Sequence, residues 1–180
     1  MLTITIPATE EFDEIKGEFV YSKEQTLQLE HSLISISKWE SKWCKVFLDK
    51  REKTNEEIID YIKCMTLNKN VSDDVYNCLT QANLTEINDY IGAPMTATYF
   101  SNTENGKKNS EQITSELIYY WMIALQIPFE CQKSHINRLH TLIRVCNIMN
   151  APPKKMSKRD IMSRNAALNA ARRKQMNTKG

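Results

Sequence analysis

Apolar and polar residues alternate at the start of the chain, and this alternation predicts β-strands. A period of two places every second residue on the same side of an extended segment. The pattern covers 1–6 and recurs over 18–21 and 26–31. The apolar residues of the first segment are Leu2, Ile4 and Ile6. We therefore predict a small antiparallel hairpin or meander of two or three strands over residues 1–31.

After residue 31 the spacing of apolar residues changes to three and four, which is typical of an amphipathic helix. The first such face consists of Leu33, Ile36, Trp39, Trp43 and Val46 with Phe47. The run Thr54-Asn-Glu-Glu57 has the form of a capping box and predicts a helix that begins after Thr54 and continues to about Met65. Two short helices are predicted at 72–80 and 84–91, followed by a connector over 92–108.

Two longer helices are predicted on either side of Pro128. The first runs over 110–127, opened by Ser110, and its face consists of Ile113, Leu117, Trp121 and Leu125, flanked by Ile118 and Met122. The second runs over 129–149, with a face of Leu139, Leu142, Cys146 and Met149. Because the connection is short, we expect the two helices to form an antiparallel hairpin.

The periodic apolar pattern ends at Asn150-Ala-Pro-Pro153, since proline cannot continue a helix. The segment from Ser157 to about Met176 is rich in Ala, Arg, Asn and Lys, and predicts a weakly amphipathic helix with too few apolar residues to anchor it in a core. The predicted fold is therefore mainly α. We divide it into an N-terminal β hairpin or meander (1–31), a helical domain (32–150) and a basic C-terminal tail helix (151–180).

Composition agrees with a helical fold and adds a strong charge asymmetry. The 180 residues include only 4 Gly and 5 Pro, which argues against an all-β fold with many tight turns. Nine basic residues and one acidic residue lie in 152–180, which gives this tail a net charge of +8. The remaining 15 basic and 21 acidic residues give the rest of the chain −6. An acidic body with a basic tail indicates an interaction role for the tail.

The number of cysteines and the hydropathy of the chain indicate the cellular compartment of the protein. Five widely spaced cysteines do not form an even, dense disulfide framework, so we expect reduced thiols. The first residues contain no Lys or Arg and do not resemble a signal peptide, and no run of 18 apolar residues occurs. We predict a cytoplasmic protein with no membrane association.

Candidate catalytic and metal-binding residues are few. Cys131 and His135 share a helix face at a spacing of four, whereas His140 diverges from His135 by about 140°. A zinc site needs four converging ligands, and a nucleophilic pair needs a third residue that orients the base. Phosphate-binding glycine motifs do not occur in the sequence. A half-buried thiol beside a surface histidine explains this cluster better, and we predict no enzyme, no cofactor and no metal.

Two features are candidates for partner binding. The pair Trp39 and Trp43 could pack in the core, or one exposed ring could anchor a protein contact. The basic tail could bind the phosphates of a nucleic acid, dock on an acidic protein surface (that of a second copy included), or remain solvated. The candidate contact residues of the tail are Lys158, Arg159, Arg164, Arg172, Arg173 and Lys174.

Five segments of the chain form a pattern found in a known family: 29–43 (LEHSLISISKWESKW), 54–57 (TNEE), 61–65 (YIKCM), 119–124 (YYWMIA) and 162–174 (MSRNAALNAARRK). In these segments the chain resembles the tail assembly chaperones of long-tailed, siphovirus-like bacteriophages. It covers most of the chain and is one of overall pattern, without an invariant motif.

The resemblance implies a non-enzymatic protein of virion morphogenesis that acts in the host cytoplasm. Such chaperones coat the tape measure protein while the tail assembles, so the implied partners are the tape measure protein and the tail tube protein. A homo-oligomer is a further alternative. The competing hypothesis from the residues alone is a small nucleic-acid-binding or regulatory phage protein that uses the basic tail as its contact.

Overall fold

The structure is a computed structural model that describes residues 1–13, 18–100, 112–152 and 157–178. By its internal contacts the chain divides into two compact units, Met1–Asn147, here called the body, and Ile148–Gly180. The predicted three-part division at residues 31 and 150 stays a prediction. The fold class is confirmed: a small antiparallel β unit at the N-terminus is followed by helices, and the protein is mainly α.

Four strands form the N-terminal β unit: β1 (Leu2–Ile6), β2 (Thr9–Asp13), β3 (Glu18–Ser22) and β4 (Gln25–Leu29). β1 pairs antiparallel with β4, and β2 pairs antiparallel with β3. In the outer pair Ile4 lies opposite Leu27, and both are buried, whereas Thr3 and Thr5 are exposed. The sequence did not predict β2, because its five residues (TEEFD) contain one apolar residue and so show no alternation.

Helix α1 (Leu33–Trp43) begins where the sequence predicts and ends earlier. Its predicted apolar positions Leu33, Ile36 and Trp39 are buried. The helix ends because Cys44 adopts a left-handed conformation with φ of 51° and donates its N–H to the carbonyl of Glu40. Phe47 is buried, but it lies beyond the helix, so the prediction that one helical face extends to 47 is wrong.

The next three helices are α2 (Asn55–Met65), α3 (Asp74–Asn77) and α4 (Gln81–Gly92). The capping box before α2 is confirmed: the Thr54 hydroxyl accepts from the Glu57 N–H, and the Glu57 carboxylate accepts from the Thr54 N–H at 2.8 Å. An equivalent box of Thr80 and Asn83 opens α4. The Asn83 amide also donates to the Thr5 carbonyl at 3.1 Å, which ties α4 to β1.

Helix α5 (Ser115–Ala124) is shorter than predicted, and it buries a different face. The hydroxyl of Thr114 caps its first turn at the Leu117 N–H, and the predicted start at Ser110 lies outside the described residues. Ile118 and Met122 are fully buried. The predicted central residues Leu117, Trp121 and Leu125 are half-buried, and Ile113 is exposed. The face is rotated because α5 packs against α1.

The predicted helix over 129–149 is interrupted. A 3-10 helix, Phe129–Lys133, precedes α6 (Ile136–Met149). Between them His135 forms an isolated β-bridge with Ser32, and the Ile136 N–H donates to the His31 carbonyl at 2.8 Å. This tertiary pairing holds the chain extended at a point where the apolar spacing alone favours a continuous helix.

The buried face of α6 only partly matches the prediction. Leu139 and Ile143 are buried, Leu142 and Cys146 are half-buried, and Met149 is 79% exposed. The helix ends at Met149, as the following Asn150-Ala-Pro-Pro153 predicts. Helix α7 (Lys158–Met176) follows, and its bounds agree with the prediction to within one residue.

Candidate partner-binding surfaces

Helix α7 is built from local signals in its own sequence. The Ser157 hydroxyl accepts from the Asp160 N–H at 3.1 Å, and it donates to the Asp160 carboxylate at 2.7 Å. Asp160 suits the positive end of the helix dipole, and Arg173 and Lys174 suit the negative end. Asn177 ends the helix in the left-handed conformation. These caps define a helix of 19 residues.

No residue of α7 is buried. All six basic residues proposed as partner contacts therefore lie on exposed helix: Lys158, Arg159, Arg164, Arg172, Arg173 and Lys174. Four large apolar side chains are exposed beside them, namely Ile161, Met162, Leu168 and Met176. Because Ile161 and Leu168 are seven residues apart, they share one face of the helix. The helix thus presents positive charge and apolar surface together.

The two tryptophans proposed as contact residues have different environments. Trp39 is 1% exposed, and its indole N–H donates to the Glu57 carbonyl at 2.9 Å. Trp43 is half-buried, and its indole N–H donates to the Asp60 carboxylate at 2.9 Å. Their rings stack with centroids 6.2 Å apart. Trp39 therefore packs in the core and offers no free surface to a partner, whereas part of Trp43 remains accessible.

Buried carboxylates join α1 to its neighbours. Glu40 is 8% exposed, and it accepts from the Phe47 N–H at 2.9 Å and from the Ser115 N–H at 2.8 Å. One side chain thus holds the loop after α1 and the first turn of α5. Asp60 accepts from both Lys42 and Trp43. These contacts give Glu40 and Asp60 a structural role, since each has partners that compensate its burial.

A groove of about 530 Å³ lies between α2 and α4 and was not predicted. Its apolar lining is Phe47, Ile58, Tyr61, Ile62, Leu84, Ile87 and Ile91. Its neutral polar lining is Asn55, Gln81 and Asn88, and its charged lining is Arg51 and Lys53. Sequence reasoning placed both helices close to their true positions, but the pairing of their faces depends on tertiary structure.

Lys53 stands at the groove as a partly desolvated cation. Its Nζ lies 4.5 Å from the centroid of the Phe47 ring. Burial lowers the pKa of Lys53. Within the part of the chain that is described, its ammonium has no carboxylate within 4 Å. Arg51, by contrast, donates to Asp49 at 2.7 Å.

A cluster of buried histidines and tyrosines lies at the junction of β4, α1 and α6. The rings of His31 and His135 are 5.0 Å apart in an edge-on arrangement. His31 is hydrogen-bonded to the Tyr61 hydroxyl. His135 donates from Nε2 to the Tyr90 carbonyl at 3.0 Å, which leaves its Nδ1 to accept from the Asn137 N–H at 3.2 Å. Burial, with the nearby His135 and His140, lowers the pKa of His31 to about 3.

Acid should destabilise the fold through this cluster. The pKa of His31 falls from 6.5 in the unfolded chain to about 3, so the unfolded state binds more protons between these values. The stabilisation is complete above pH 6.5 and is lost as the pH falls. We expect His31 alone to cost about 2 kcal/mol of unfolding free energy between pH 7 and pH 5. Burial also lowers the pKa of His135 and of His140, which adds to the loss.

Urea unfolding at pH 7 and at pH 5 measures this loss. A His31→Gln variant serves as the matched comparison: its stability should change less with pH, whatever its absolute value. The carboxylates with lowered pKa, such as Glu57, lose stabilisation only near and below their ordinary value of 4.5, outside this window. Equal pH dependence in parent and variant would contradict the assignment.

For the candidate pair Cys131 and His135, the hydrogen bonds given for His135 engage both of its ring nitrogens with Tyr90 and Asn137 rather than with the thiol. Throughout residues 1–13, 18–100, 112–152 and 157–178, no group of three or more His, Cys, Asp or Glu side chains is arranged to hold a metal ion. His135 is buried, not the surface histidine that the sequence suggested.

Comparison of the chain with protein-family models, with characterised proteins and with solved structures finds no match. Among the helices of the described segments, none is long and apolar enough to cross a membrane. Two surfaces of this protein, helix α7 and the α2–α4 groove, are therefore the candidates for partner binding.

Proposed function

We propose that this protein is a tail assembly chaperone of a siphovirus-like bacteriophage. In this proposal it is not an enzyme, and it binds the tape measure protein in the host cytoplasm while the tail forms. The observation that carries the proposal is α7, a basic helix of 19 residues with no buried side chain. A helix that buries nothing of its own gains most of its stability from a surface on which it docks.

The composition of α7 favours protein as its partner. Ile161 and Leu168 give it an apolar stripe, and Arg164 and Arg172 lie within one turn of that stripe. Such a surface is complementary to a helical protein with apolar and acidic side chains. The helix has no aromatic side chain on which the bases of a single strand could stack. Its resemblance to the ends of tail assembly chaperones supports the same partner.

The proposal includes two further partners, one from the resemblance and one from charge. The tail tube protein is a second assembly partner, implied by the resemblance alone. A homo-oligomer is supported by the opposite charges of the tail and of the rest of the chain, +8 and −6 from the residue counts given above. The nucleic-acid alternative depends on the same basic residues, and it differs in its salt dependence.

Neutralising the end of α7 tests the proposal. We expect the triple variant Arg172→Gln, Arg173→Gln, Lys174→Gln to recover at least about tenfold less tape measure protein on co-purification, because complementary charge guides this type of contact. Its melting temperature should match that of the parent, since these side chains are exposed. A matched control removes three exposed lysines of the body: Lys23→Gln, Lys50→Gln and Lys69→Gln.

The control should co-purify with the tape measure protein as the parent does. Equal loss in both triple variants would indicate a general charge effect and not a contact of α7. Undiminished co-purification by the α7 variant would move the contact to the body, first to the accessible part of Trp43.

A further inference from the structure

We propose that the groove between α2 and α4 binds an acidic amphipathic helix of a protein partner. The inference goes beyond the proposed function, because it assigns a second site, on the body, with a charge preference of its own.

The walls of the groove are two helices that present regular rows of side chains. On α2 the row is Asn55, Ile58 and Ile62, at spacings of three and four. On α4 the row is Gln81, Leu84, Asn88 and Ile91, with Ile87 beside it. Rows of this spacing are the ridges between which a third helix packs. A bound helix would insert apolar residues at positions i, i+3 or i+4, and i+7.

The length of the groove sets the length of the segment. The α4 row spans eleven residues, from Gln81 to Ile91, whose ten steps of 1.5 Å correspond to about 15 Å. A partner segment of about ten to twelve residues would match this length. Ile58 lies at the rim and is 39% exposed, so the groove has an open side by which a chain segment can enter.

Charge decides which helix is bound. Both charged residues that line the groove are basic, and no described carboxylate lines it. The Lys53 ammonium lies against the Phe47 ring, and the described carboxylates that act on it, Glu57 and Asp49, form no ion pair with it within 4 Å. A Glu or Asp on the bound helix would therefore supply a direct ion pair. Such a pair at a partly desolvated site contributes more than one in open solvent. The basic α7 of a second copy would place like charges together and is therefore not the occupant.

The test begins with an unbiased selection on the full-length protein. A display library of twelve-residue helical peptides is panned against the 180-residue chain, and the enriched peptides are synthesised with a fluorescent label. We expect apolar residues spaced by three and four and at least one acidic residue near an end. Enrichment of basic or neutral peptides, or no enrichment, would overturn the proposal.

Two matched pairs of variants then locate the site by fluorescence anisotropy. Ile58→Ser should weaken binding of the selected peptide by about tenfold, whereas Ile123→Ser, on an exposed isoleucine of α5 outside the groove, should not. Lys53→Glu should weaken it by about five- to tenfold, and Lys69→Glu should not. Replacing the acidic residue of the peptide with lysine should restore binding to Lys53→Glu.

Each contrary result is decisive. Equal loss in Ile58→Ser and Ile123→Ser places the peptide elsewhere, and failure of the charge swap removes Lys53 from the contact. Laurate, a free apolar carboxylate, serves as a competitor. If saturating laurate displaces the peptide and binds more tightly than the peptide does, the groove is a site for such a carboxylate instead. These measurements do not involve the tape measure protein. The groove proposal can therefore fail while the α7 proposal holds, and the α7 proposal can fail while the groove proposal holds.

Discussion

Trp39→Ala is expected to destabilise the protein by about 3–5 kcal/mol, the usual cost of removing a buried tryptophan side chain. Trp39 is 1% exposed and lies at the centre of an aromatic group, 6.2 Å from the Trp43 ring and 5.2 Å from the Phe47 ring. The change would leave a cavity between α1 and α2. It would also leave the Glu57 carbonyl without its indole donor. Urea unfolding followed by far-UV circular dichroism measures the loss without depending on tryptophan fluorescence.

Trp121→Ala is the matched control for this experiment. The apolar spacing of the sequence places Trp121 in the middle of a core face, whereas the structure leaves it half-buried. We therefore expect a smaller loss for Trp121→Ala than for Trp39→Ala. The reverse order would show that α5 packs by the face containing Trp121, and would contradict the burial of Ile118 and Met122.

Glu40→Ala is expected to cost about 2–4 kcal/mol, because it leaves two buried backbone N–H groups without an acceptor. The Glu40 carboxylate accepts from Phe47 and from Ser115. Ser115 is the first residue of α5, where a negative charge also stabilises the helix dipole. Loss of this carboxylate should loosen the start of α5 before the rest of the fold, so amide hydrogen exchange at Ser115 and Phe47 should accelerate most.

Two variants define the cause of this loss. Glu40→Gln retains one acceptor oxygen but turns an amide donor towards a backbone N–H. Its free energy of unfolding should therefore lie between that of the parent and that of Glu40→Ala. Glu86→Ala removes an exposed glutamate from α4 and should change stability by less than about 0.5 kcal/mol. A Glu40→Ala protein as stable as the Glu86→Ala protein would refute the bridging role.

The elements that the sequence predicts well are those defined by local chemistry. The Thr54–Glu57 capping box predicts the start of α2, and the segment predicted to begin at Ser157 agrees with the start of α7. The strict alternation of apolar and polar residues over 1–6 predicts β1. In each case the signal and the structure it determines lie within a few residues of one another, so no knowledge of the tertiary fold is needed.

The elements that the sequence misplaces depend on distant contacts. The break at His135 comes from a bridge to Ser32, about a hundred residues earlier in the chain. The rotated face of α5 results from its packing on α1, and an i, i+4 pattern cannot distinguish adjacent faces when a helix is apolar on most sides. For this reason the apolar spacing predicts Ile118 and Met122 only as flanking residues.

The two candidate binding surfaces, α7 and the α2–α4 groove, also differ in whether they can be predicted from the sequence. The exposed basic helix could be predicted, because a run of Lys, Arg and Ala with few large apolar residues has nothing to bury. The groove could not, since it arises where the faces of α2 and α4 meet. The signal available beforehand was Lys53, a lysine immediately before a helix cap and close in sequence to the apolar Phe47.

We propose that α7 binds protein rather than nucleic acid. It is tested most directly by measuring, in parallel, the affinity of the full-length chain for labelled helical fragments of the tape measure protein and for an unrelated labelled DNA duplex. Both titrations are run at 50 mM and at 200 mM salt. We expect a tape measure fragment to bind at least about tenfold more tightly than DNA at 200 mM salt, and we expect this preference to disappear in the Arg172/Arg173/Lys174 triple variant. Tighter binding to DNA, lost by about a thousandfold or more between the two salt concentrations, is the signature of phosphate contacts and would contradict it.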